Sequence, residues 1–152
     1  MEAHQSQLGI EEFLMRRIPS GPSFFDYLSG KPNLNAFLPG TSDEDGLSLY
    51  REHVEGVDDG YMKPRDLLDK ASNDKTRVYG GVAVVRAGDV ESIPLELDPD
   101  EGDSPGHVSC KQMNLLDYKN SQTKKQIKIW ADLLVACVVK INGMRILPKP
   151  IQ

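Results

Sequence analysis

Two cysteines, Cys110 and Cys137, are all that the 152-residue chain holds. They are too few for a disulfide scaffold, and without an export signal they are expected as reduced thiols in a cytosol. No stretch approaches about 18 consecutive apolar residues, so no helix is expected to span a bilayer. The longest candidate, 130–141, is interrupted by Asp132 and Lys140. The first residues, Met1-Glu2-Ala3-His4-Gln5, offer neither a basic n-region nor an apolar h-region, so no secretory signal is expected there. The nucleotide-loop patterns are missing too: there is no G-x-G-x-x-G, and Gly30-Lys31 runs into Pro32 without P-loop glycine spacing. With no H-E-x-x-H and no paired C-x-x-C, zinc has no scaffold in the sequence. Counting from Thr41 places Asp43, Asp45, Gly46 and Glu52 at calcium-loop positions. The first ligand is then Thr, however, and Pro39-Gly40 forbids the entering helix, so calcium is set aside. No metal and no cofactor are expected.

What is present is an ordinary globular composition, 39% apolar and 27% charged. A chain of this length buries roughly two-thirds of its unfolded surface, enough for one domain without a metal or disulfide. A single domain over 1–152 is therefore expected, with 1–6 frayed. The net charge of −5 hides an asymmetry: residues 1–105 carry 10 Lys+Arg against 21 Asp+Glu, and residues 106–152 carry 8 against 2. Either the halves attract one another within one fold, or the basic part faces an acidic partner. A whole-chain pI near 5.2 turns the expectation away from nucleic acid.

Apolar spacing predicts an amphipathic helix over 7–18, stopped by Pro19, and a long irregular segment over 19–46 pinned by Phe24, Phe25, Tyr27, Leu28, Phe37 and Leu38. Strands are expected over 47–51, 78–86, 94–97 and 107–110, with Gly80-Gly81 marking a bulge or close backbone approach. Pro64 opens a short helix over 64–71, and 87–91 reads as a turn or a single helical turn. Residues 98–106 read as an acidic surface loop. The strongest helix runs over 121–139. Its stripe is Ile127, Trp130, Leu134, Cys137 and Ile141, Thr123 and Gln126 fit a capping box, and Lys124, Lys125 and Lys128 begin the polar side. Gly143 would terminate it and 144–147 would add a short edge strand. The expected architecture is α+β: a small, mostly antiparallel sheet packed by one long C-terminal helix and short helices.

Three histidines, His4, His53 and His107, invite a search for acid–base chemistry. In a strand over 107–110, His107 and Ser109 share one face while Val108 and Cys110 take the other, so a Cys110–His107 nucleophile pair is geometrically poor. Cys137 lies on the helix's apolar stripe and reads as a small core residue. Arg16-Arg17, at the mouth of an irregular segment, offers a guanidinium able to grip a phosphate or carboxylate bidentately, or a solvated helix-end cation.

The order Arg17-x-Pro19, Ala36-Phe37-x-Pro39, Asp45-Gly46-Leu47-Ser48-Leu49-Tyr50 and Pro105-Gly106-His107 before a closing helix resembles a loose group of small bacterial proteins without assigned function. The resemblance implies a bacterial cytosolic protein and supplies no mechanism. It points to Arg17, Phe37, Asp45, Ser48 and His107 as a candidate cluster. Two functions are carried forward. The first is a non-enzymatic accessory or interaction module with a protein partner, bound through Lys124, Lys125 and Lys128. The second is a small nucleotide-using enzyme of ADP-ribosyltransferase-like type, with Arg17, Ser48 and Glu91 or Glu96 in the working positions; that reading rests on fold-level analogy.

Overall fold

A computed structural model describes residues 8–26, 28–40, 43–52, 61, 63, 64, 66–68, 79–99 and 106–142. The strands are β1 (Phe13–Pro19), β2 (Phe25–Asp26), β3 (Lys31–Pro32), β4 (Leu47–Arg51), β5 (Tyr79–Arg86), β6 (Asp98–Pro99), β7 (His107–Cys110) and β8 (Lys140–Asn142). The helices are α1 (Ala87–Glu91), α2 (Leu115–Lys119) and α3 (Lys124–Cys137), with a 3-10 turn at Leu34–Phe37. Six strands form one antiparallel sheet in the order β6-β7-β4-β1-β5-β8, and β2-β3 is a separate two-stranded ribbon. The α+β expectation is met, with the long helix near the C-terminal end of the described chain.

β1 occupies the place where a helix over 7–18 was expected. Phe13, Leu14 and Met15 are three consecutive apolar residues, and a strand buried on both faces needs such a run. The strand pairs with β4 on one side and β5 on the other. Leu14 and Ile18 enter the larger core with Leu47, Leu49, Ala83, Val85 and Val108. Met15 turns to the opposite face with Val82, Val84, Leu67 and Leu68. Two sets of long-range ladder bonds thus override a periodicity that local reading assigns to a helix. Where Ile18 pairs with Gly81 and Pro19 with Tyr79, Gly80 is the extra residue, so the expected glycine bulge is present.

Gly46 is required where β4 begins. Its φ is +154°, and a Cβ there would strike Ser109 Oγ, with Cys110 O at 2.7 Å and Lys111 Cα at 2.8 Å. The strands at 47–51, 79–86 and 107–110 and the helical turn at 87–91 follow expectation. Residues 64 and 66–68 are helical, as Pro64 suggested. The strand expected over 94–97 is displaced to Asp98–Pro99, which pairs with β7. Pro94 has no N–H to give a ladder, and Leu95 N–H closes onto Val90 O at the end of α1 instead. That pairing also removes 98 and 99 from the expected acidic loop; 100–105 lie outside the described residues, as do 1–7, His53, Tyr27, Gly143 and 144–147.

α3 is shorter than expected. It ends at Cys137, and Val138 is already extended, so Ile141 lies in β8 rather than on the helix stripe. Ile127, Ala131 and Leu134 form its buried face, against the 3-10 turn, α1 and β5. The capping box is not made: Thr123 gives no side-chain cap, and its hydroxyl donates backwards to the carbonyls of Asp117 and Asn120. The tight connection to α2 turns that hydroxyl away from the amides it would cap. The cap lies one helix earlier, where Asn114 Oδ1 accepts from Asp117 N–H at 2.8 Å. No helix among the described residues is long and apolar enough to cross a membrane.

Candidate functional site

Strand alternation divides the predicted site residues between the two faces of the sheet. Ser48 and Tyr50 of β4 stand opposite Ser109 and His107 of β7. On this face His107 Nε2 lies 3.0 Å from Ser48 Oγ, a diagonal contact across the ladder. The His107 ring meets Tyr50 edge-on with centroids 5.3 Å apart. The Arg17 guanidinium carbon sits 5.6 Å from the Tyr50 ring centre. Arg17, Ser48 and His107 therefore share one face, joined through Tyr50. Ser48 is 7% exposed, while Arg17, Tyr50 and His107 are half-buried.

Phe37 and Asp45 are not part of this group. Phe37 is fully buried in the core on the other side of the sheet, packed with Leu14, Ile18 and the helix. Asp45 is exposed in the turn leading to β4. A five-residue cluster on pattern alone thus reduces to three residues plus Tyr50.

The most elaborately bonded side chain is Arg16, adjacent to the arginine singled out from sequence. Its alternation places it on the face of Leu14 and Ile18, against the 3-10 turn with Leu38 and the turn at Asp43. Nε donates to Ala36 O at 2.9 Å, Nη1 to Ser48 O at 3.1 Å, and Nη2 to Leu38 O at 3.2 Å. Both Nη groups also reach Asp43, at 3.1 and 3.2 Å. Asp43 Oδ2 accepts from Gly40 N–H at 2.8 Å and Oδ1 from Ser48 N–H at 2.8 Å. Burial pushes the Asp43 carboxyl up, but the Arg16 guanidinium and these amide donors outweigh it, and the group titrates below its ordinary 3.8. Arg16 and Asp43 are a structural staple that fixes the irregular segment to the sheet. A guanidinium with five acceptors in place is not offered to a ligand. The clue in the sequence was an arginine at the second position between Leu14 and Ile18, which a helical reading conceals.

A second internal pair, Arg51 Nη2 to Glu12 Oε1 at 3.1 Å, joins β4 to the segment before β1. On the other face Lys140 Nζ stands 3.5 Å from Glu52 Oε1 and 4.6 Å from the Phe13 ring centre. Lys111 reaches Asp98 at 3.5 Å. Two lysines of the basic C-terminal third thus pair with the acidic first two-thirds, as the intramolecular reading of the charge asymmetry expects. Lys125 and Lys128 do not: both are exposed on α3 and make no ion pair among the described residues. Lys124 is exposed too, with its ammonium 5.1 Å from the Tyr118 ring centre.

The outward face of α3 continues from these lysines into Ile129 and Leu133, 48% and 43% exposed. A groove of about 480 Å³ follows between the end of α3 and α1, lined by Leu133, Ala136, Cys137, Val139, Ile93 and Asp89 among others. A second cavity of about 530 Å³ is lined by Glu91, Glu96, Asp98 and Lys111 with Pro94, Leu95 and Leu97. Neither Arg17 nor Ser48 lines it, so the Arg–Ser–Glu order of the enzymatic reading is not gathered there. No group of three or more metal-ligating side chains is found among the described residues. Compared with family models, curated proteins and solved structures, the chain matches none.

Proposed function

We propose that this protein is a non-enzymatic interaction module, an accessory protein of a bacterial cytosolic system, whose α3 face docks an acidic segment of a protein partner. The unpaired Lys125 and Lys128 beside exposed Ile129 and Leu133 carry the reading. Lysine at the start of a helix is electrostatically unfavourable. The first-turn N–H groups present partial positive charge, and α3 has no acidic residue and no side-chain cap in its first turn to offset it. A partner's carboxylates would relieve that repulsion while its apolar side chains covered Ile129 and Leu133. The two free thiols are what supports a cytosolic setting.

The test is co-purification of tagged protein from its host at low and high salt. A stoichiometric partner should be retained by the native chain, released by salt, and lost from Lys125→Glu/Lys128→Glu. A native chain that stays monomeric and alone at every salt concentration contradicts the proposal.

The nucleotide-using alternative retains one supporting observation, the common face of Arg17, Ser48 and His107. Calorimetric titration with NAD decides it: heat that disappears in Arg17→Ala favours the enzyme, and no heat removes it.

A further inference from the structure

Polarity is built into the α3 surface. Lys124, Lys125 and Lys128 occupy its first turns, whereas Asp132 lies in its second half and Asp89 lines the groove beyond it. Six of the eight residues lining that groove are apolar or sulfur-bearing, the others being Asp89 and Ser92, and Leu133 belongs both to the groove and to the exposed strip, so strip and groove form one continuous surface. Val139, 42% exposed, also lines the groove. A volume near 480 Å³ is large enough to take a leucine or an aromatic side chain. A carboxylate entering there would meet Asp89; over the first turns of α3 it meets the ammonium groups of Lys124, Lys125 and Lys128.

On the interaction reading above, we infer that the partner docks with a fixed polarity, its acidic residues over the first turns of α3 and one large apolar side chain in the groove between α3 and α1. From Lys125 to Ala136 the helix rises about 17 Å at 1.5 Å per residue. The partner segment must hold its acidic group and its apolar anchor that far apart, about eleven residues if helical or about five if extended. A small apolar molecule would fill the groove alone and leave the lysines unused; the continuity of the two favours a polypeptide.

Cys137 reports on the groove from inside the native protein. It lines the groove and is half-buried, while Cys110 is 1% exposed with its thiol pushed up to about 12 by burial. A thiol reagent applied to folded protein therefore reads Cys137. The probes are three helix-forming peptides: one with a Glu block and a Trp eleven residues apart, one with the Trp replaced by Ser, and one with the separation shortened to four.

The first peptide should slow Cys137 modification at least tenfold, and its affinity should fall at least tenfold in Val139→Asp and in Lys125→Glu/Lys128→Glu. The Ser and short-spaced peptides should bind more weakly and leave Cys137 reactive. Binding that depends on the lysines but leaves Cys137 equally reactive with all three peptides overturns the anchored polarity while leaving the interaction reading intact. Binding unaffected by lysine reversal, or no binding, overturns both. Val139 and the two lysines are exposed, so these variants are expected to fold.

Discussion

Replacing Asp43 by alanine leaves the Arg16 guanidinium, with a side chain 12% exposed, facing three carbonyls and no counter-charge. Gly40 and Ser48 lose the acceptor for their N–H groups at the same time. Removing one partner of a buried pair costs about 3–5 kcal/mol, because the other charge stays buried without compensation. Against a total stability of about 5–15 kcal/mol, the loss is large enough to move a urea midpoint by an easily measured amount. The double variant Arg16→Met/Asp43→Ala separates two explanations. If the pair is only two charges cancelling, removing both should be nearly neutral. Here the guanidinium also satisfies Ala36, Leu38 and Ser48 carbonyls, and each buried group left unpaired costs about 1–3 kcal/mol. The double variant should therefore stay at least about 2 kcal/mol below the native chain while showing positive coupling between the two sites. Equilibrium urea unfolding of the native chain, both singles and the double gives the cycle. An Asp43→Ala cost below about 1 kcal/mol, or a double variant equal to the native chain, would refute the staple.

The same carboxyl sets a pH dependence. Because its folded pKa lies below the ordinary value, its contribution is full above that unfolded value and is lost as pH falls through the folded one, so acid unfolding below about pH 4 should be shallower in Asp43→Asn. Gly46→Ala should cost about 1–3 kcal/mol in urea unfolding from its backbone conformation, with the contact on the Cys110 carbonyl in addition; a neutral result contradicts the φ of +154°. Native protein should incorporate one thiol label per chain and a second only on unfolding, and mass mapping should place the first on Cys137; early labelling of Cys110 would place it outside the core.

Sheet and helix order were legible wherever one face is buried and the other wet, or where turn residues bound an element. Leu47-Ser48-Leu49-Tyr50 alternates, and its strand was readable, as was the glycine bulge opposite Pro19. β1 was not readable as a strand. A central strand buried on both faces has no period of two, and its spacing at Leu14 and Ile18 also satisfies a helix turn. That single misreading hid the staple, since only strand alternation shows Arg16 pointing into the core and Arg17 to the opposite face. The Ser48–His107 contact was half legible. His107 and Ser109 were correctly put on one face, but which neighbouring strand would supply a hydroxyl is a matter of long-range register that sequence spacing does not encode. Phe37 and Asp45 joined the expected cluster only by their order along the chain, and order does not say which face of the sheet a residue reaches. The missed helix α2 did carry a signal: Asn114 three residues before Asp117 is a capping pair.

On the proposed function, the lysines on α3 are held in an unfavourable position because a partner's acidic residues answer them. Lys125→Glu/Lys128→Glu tests it with two readings on one protein. Placing carboxylates near the helix start should stabilise the isolated chain by about 0.5–1 kcal/mol, a rise of about 1–4 °C in Tm. The same change should abolish salt-sensitive partner binding. Stability up and binding lost is the predicted result. Partner binding unchanged in the stabilised variant would contradict the claim.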